Sequence, residues 1–126
     1  MSGTPKHSQV ELDRQHREKL EAERREAERL ATEVRRRAEA EAARKRLEAL
    51  RDRAKSKVQA LQKQIDRQQS LAYPQDIAEL LKLWQQQSDL TTRASQESNL
   101  HKVIQELSQI EAKLDRAVDR KRRDDE

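Results

Sequence analysis

The most regular pattern lies near the end of the chain, where Leu100, Val103, Leu107, Ile110, Leu114 and Ala117 follow one another by three and four positions. That spacing keeps all six on one face of an α-helix. Ile104 and Val118 extend the stripe sideways, making it wider than a two-stranded seam and closer to the face of a bundle. A second stripe, Ile77, Leu80, Leu81 and Trp84, predicts an amphipathic helix from Gln75 to about Gln87. Between them, Ser88 to Asn99 is rich in Ser, Thr, Asp and Asn, which compete for backbone hydrogen bonds and favour caps or turns. It reads as a loop or a weakened helical joint, with Ser95 and Glu97 as a restart signal.

Upstream, Gln9 to Ala72 contains neither glycine nor proline and consists mostly of strong helix formers, so one long helix is expected over residues 8–72. Ser8 followed by Glu11 has the spacing of a capping box and marks its start. Residues 1–7, with Gly3 and Pro5, read as a flexible leader. Up to about Arg46 this helix carries alanines and carboxylates followed by cations at i,i+4, as in Glu21 with Arg25, Glu33 with Arg37 and Glu41 with Lys45. Each such pair contributes about 0.2 to 0.5 kcal/mol, enough to support helicity without fixing a tertiary fold. Further on, Leu47, Leu50 and Ala54 recur 11 positions later as Val58, Leu61 and Ile65, a period that holds a stripe on one face with little supercoil.

Tyr73 and Pro74 break the pattern, because proline lacks an amide donor and disfavours helical geometry in the residue before it. Pro74 then suits the first turn of a new helix, with Asp76 near its positive end. The expected fold is all-α: long helices forming a coiled-coil hairpin that reverses at Tyr73 and Pro74. Its second arm covers 75–123 and leads into an acidic tail at 124–126. In a simple two-arm hairpin Leu100 opposes Leu47, but Leu107, Ile110 and Leu114 face the neighbourhood of Ala40, Arg37 and Glu33. Large apolar side chains gain about 1.5 to 3 kcal/mol each on burial, so these residues are expected to seek another apolar stripe through self-association. In a parallel dimer Glu106 meets Glu111 of its partner, which points to an antiparallel or higher-order arrangement.

Composition narrows the function. Of 126 residues, 28 are basic and 24 acidic, interleaved as on a solvated helix face and not blocked as in a disordered tail. With no phenylalanine and one each of tyrosine and tryptophan, one compact core is hard to build, and apolar surface is expected to be buried along seams against other chains. The absence of cysteine excludes disulfides and thiolate metal sites. Met1 to His7 lacks the apolar region of a signal peptide, and no apolar run reaches transmembrane length, so the expectation is a cytoplasmic protein without membrane contact. His7, His16 and His101 have no i,i+4 histidine partner, and no phosphate loop or nucleophile motif occurs. No catalysis, cofactor, metal or small-molecule substrate is expected.

Two functional readings remain. The first is a coiled-coil adaptor, spacer or accessory subunit that assembles as a homo-oligomer or with partner-protein helices. Its interface would comprise Leu100, Val103, Ile104, Leu107, Ile110 and Leu114, with Leu80, Leu81 and Trp84 as a second contact. The alternative rests on the stretch from Arg35 to Arg67, which holds 12 cations against 5 carboxylates. Arg35, Arg36, Arg37, Arg44, Lys45 and Arg46 would contact nucleic-acid phosphates without reading sequence, there being no asparagine in the stretch to address a base edge.

Overall fold

The structure, a computed structural model, describes residues 6–126. Three helices follow one another: α1 (Lys6–Gln68), α2 (Pro74–Arg93) and α3 (Glu97–Asp125), with a short 3-10 turn at Gln69–Leu71 after the first. No strand occurs among the described residues, and the fold is all-α as the periodicities require. The chain divides into two units, Met1–Ala42 and Ala43–Glu126.

In the first unit the helix has no tertiary core, and its side chains from Gln9 onward are exposed apart from the half-buried Glu33. Local ion pairs line it. Arg25 lies 3.9 Å from Glu21, Arg29 lies 2.6 Å from Glu26, and Arg36 and Arg37 share Glu33 at 2.8 and 3.2 Å. The leader expected over residues 1–7 falls outside the described residues for its first five. Lys6 and His7 are already helical, so Ser8 lies within the first turn of α1 and is not its cap.

The second unit is a three-helix bundle, not a two-arm hairpin. Two features of the break after α1 are those anticipated for a proline. Tyr73 is extended at φ −68° and ψ 141°, as the residue before a proline must be, and Pro74 opens α2 with Asp76 in its first turn. The Tyr73 carbonyl accepts the amides of Asp76 and Ile77 at 3.0 and 3.1 Å. α1 itself stops at Gln68, four residues short of the expected end.

α2 continues past the expected Gln87 to Arg93, through the first part of the polar stretch read as a loop or a weakened helical joint. Its Ser and Thr residues are accommodated because the hydroxyls bond back along the helix: Thr91 Oγ1 donates to the Gln87 carbonyl at 2.8 Å and Thr92 Oγ1 to that of Ser88 at 3.4 Å. The joint is only Ala94, Ser95 and Gln96. Gln96, not Ser95, precedes the first residue of α3, and its carbonyl accepts the amides of Asn99 and Leu100. Asp124 and Asp125, assigned to a tail, are the last residues of α3.

This joint changes the topology. α2 runs antiparallel to α1, as the bond from Trp84 Nε1 to the Val58 carbonyl at 2.8 Å and those from Arg51 to the end of α2 fix. α3 then turns back and runs parallel to α1. Arg46 meets Glu97 at 3.4 Å, Lys57 donates to Ser108, and Tyr73 donates to Asp124, each pair 51 positions apart. The first two pairs join α1 to α3 at one constant offset, so the two helices keep step between them, and the third ties the residue before α2 to the end of α3. Arg120 with Asp76 ties α3 to the start of α2.

The core follows from this order. Ala54, Val58, Leu61 and Ile65 from α1 face Ile77 and Leu80 from α2 and the stripe from Leu100 to Ala117 on α3, in one continuous cluster. Leu47, Leu50, Leu83, Trp84 and Val118 pack at its edges. Each stripe is thin, but three of them from one chain enclose a shared interior, as ridge-into-groove packing of helices allows.

Candidate functional site

The residues read as an interface are where this correction matters most. Leu100, Leu107 and Leu114 have no exposed surface, and Val103, Ile104 and Ile110 are buried beside them. The seam expected to need a second chain is filled by α1 and α2 of the same chain. Leu80 is also buried, and Trp84 is half-buried, with its indole N–H held by the Val58 carbonyl. Leu81 alone of that set is exposed, at 38%. None of the three forms a free tryptophan-centred docking patch.

The basic clusters are brought together by sequence adjacency and then largely engaged by carboxylates. Arg36 and Arg37 both reach Glu33, Arg44 reaches Glu48 at 2.6 Å, and Arg46 reaches Glu97 across the bundle. Arg35 and Lys45 are exposed. Pairing of this kind weakens the field that would otherwise attract phosphates. Farther along the same stretch, Arg51 is committed to three backbone carbonyls and Lys57 to Ser108, so these cations serve the bundle.

Among the described residues no group of three or more His, Asp or Glu side chains is placed to hold a metal ion. No helix among them is long and apolar enough to cross a membrane. The Tyr73 hydroxyl donates to Asp124, while the guanidinium of Arg120 lies 5.3 Å and the ammonium of Lys121 5.8 Å from its ring centre. The hydrogen bond to Asp124 pushes the phenol pKa above its ordinary value. It latches the end of α3 to the start of α2.

The surface that sequence reasoning missed is on the first unit. Val10, Leu12, Leu20, Leu30 and Val34 are each at least half exposed, on a helix otherwise covered with charge. At about 100° per residue, Leu12, Leu20, Ala27, Leu30 and Val34 fall within an arc of about 80°. Their spacings of 8, 7, 3 and 4 are sparse enough to be hidden by the intervening Glu and Arg, and the dense stripes downstream dominated the periodicity. The signal was the recurrence of leucine or valine on a single helical face.

No family model, curated protein or solved structure matches this chain. What the fold and surface define is a class: an all-α protein in which a three-helix module with its own core is joined in sequence to a charged helix bearing one exposed apolar stripe.

Proposed function

We propose that the protein is a non-enzymatic helical adaptor or spacer of the cytoplasm that assembles with itself or with partner helices. The observation that carries this reading is the contrast between the two units. Residues 43–126 cover their large apolar stripes internally, whereas Leu12, Leu20, Leu30 and Val34 remain open on a helix that has no core of its own. A helix held only by i,i+3 and i,i+4 ion pairs gains nothing from presenting leucines to water. The same residues gain from lying against an apolar stripe on another helix, about 1.5 to 3 kcal/mol for each one fully buried. The assembly surface therefore moves from the α3 seam to α1 residues 12–34.

A photo-activated cross-linking residue placed at Leu20 in the full chain, expressed in its cells of origin, tests this. A discrete protein adduct is expected, and its loss is expected when Leu30 and Val34 are changed to Asp. A residue at position 20 that cross-links to no protein under these conditions removes the basis of the reading.

A further inference from the structure

We infer that the helix covering the Leu12 to Val34 stripe is the same segment of a second copy, lying antiparallel to the first. This rests on the assembly reading above and adds the identity and direction of the partner.

The stripe follows a heptad in which Leu20, Ala27 and Val34 occupy one core position and His16, Glu23 and Leu30 the other. A parallel, in-register pair would stack Glu23 on Glu23 and His16 on His16 in its core, and would set Lys19 beside Arg24 of the other copy. Two buried carboxylates in contact are strongly disfavoured, so this direction is rejected. In the antiparallel arrangement, with facing residue numbers summing to 50, each core layer changes. Leu20 faces Leu30 twice by symmetry, Glu23 faces the small Ala27, and His16 faces Val34. Lys19 then lies between Glu26 and Glu33 of the second copy, and the two-fold axis repeats the contact.

Two like-charge contacts fall at the axis, Arg24 with its copy and Glu26 with its copy. Both side chains are already engaged within their own helix, Arg24 by Glu28 at 3.9 Å and Glu26 by Arg29 at 2.6 Å. The hydrogen bond to Arg29 holds the Glu26 carboxyl below its ordinary pKa, so it keeps its negative charge beside Lys19 of the other copy. A pairing of this kind is isologous and closes as a dimer, without leaving a free end to propagate.

The chain has no cysteine, so single cysteines report direction unambiguously. The full-length variants Leu20→Cys and Leu30→Cys are exposed substitutions that leave the bundle core untouched. Mixed and oxidised, they should give at least about tenfold more disulfide dimer than either alone, because positions 20 and 20 of an antiparallel pair are separated by about 15 Å along the axis. Lys19→Glu should abolish the cross-link, and adding Glu26→Lys and Glu33→Lys should restore it. Efficient cross-linking of Leu20→Cys with itself would establish the parallel direction and overturn the inference. So would a wild-type chain that sediments as a monomer, or a Leu20 photo-adduct that contains a different protein; that last outcome would leave the adaptor reading standing.

Discussion

The guanidinium of Arg51 donates to the Ala94 carbonyl at 2.6 Å and thereby closes an end of α2 that its local sequence leaves open. The last carbonyls of any helix lack amide partners, and no glycine is present here to fold the chain back over them. The second terminal nitrogen of Arg51 donates to Thr91 and Thr92 at 3.0 Å each, so one planar group from α1 serves three carbonyls. Arg51→Ala should lower stability by about 1.5 to 3 kcal/mol, the range for hydrogen bonds to a charged group. Arg51→Lys should recover only part of this, since an ammonium lacks the fork. Urea unfolding of the full chain measures both, and wild-type stability in Arg51→Ala would show that the cap is dispensable.

Trp84 is the only tryptophan and lies at the junction of α1 and α2, so its fluorescence reports on the bundle alone. Trp84→Phe keeps the ring packing but removes the donor to Val58, and should cost about 0.5 to 1.5 kcal/mol. Trp84→Ala removes the packing too and should cost about 3 to 5 kcal/mol. The comparison is made in thermal melts followed by circular dichroism, and wild-type stability in Trp84→Phe would assign everything to the ring and nothing to the hydrogen bond.

These two side chains also mark the limit of what could be read in advance. The stripes of α2 and α3, the reversal at Pro74 and the helical class all follow from local spacing, because the 3.6-residue period and the geometry of proline act within a few positions. The joint after Arg93 does not. Its cap comes from Arg51, some forty positions upstream, and its preceding Thr residues satisfy their hydroxyls within the helix. Read locally, Ser88 to Asn99 is either a loop or a weakened helical joint; a three-residue turn makes α3 reverse, and the reversal decides where the large apolar residues go. The expected partner for Leu107 was therefore sought outside the chain when the α1 stripe of Ala54, Val58, Leu61 and Ile65 was available within it.

Leu107 separates these two accounts experimentally. It has no exposed surface in the bundle. Leu107→Ala should cost about 2 to 5 kcal/mol through lost burial and the cavity left behind. Leu107→Asp places an unpaired carboxylate in that interior and should unfold residues 43–126. Because the core is formed by one chain, the loss of helicity should be independent of protein concentration. A Leu107→Asp chain that keeps its helicity and changes only its sedimenting mass would place the residue at a boundary between chains instead.

Tyr73 supplies a pH signature of the closed bundle. Its hydroxyl is held in the protonated form chiefly by the hydrogen bond to Asp124, with desolvation and the charges of Asp124 and Asp125 acting in the same direction and Arg120 opposing them. A group whose pKa is raised on folding stabilises the folded state fully below its unfolded value, near about 10 for tyrosine, and that contribution is lost as pH rises through the folded value. The latch between α3 and the start of α2 should therefore hold at neutral pH and loosen only in strong alkali. With a single tyrosine in the chain, the phenolate absorbance near 295 nm titrates this group alone. The midpoint should lie above about 10 in the folded chain and return to about 10 in concentrated urea. Asp124→Asn should bring the folded midpoint down toward the unfolded one, since the amide cannot supply the negative charge that opposes phenolate formation. Identical midpoints in buffer and urea would mean that the Tyr73 and Asp124 contact does not persist in solution.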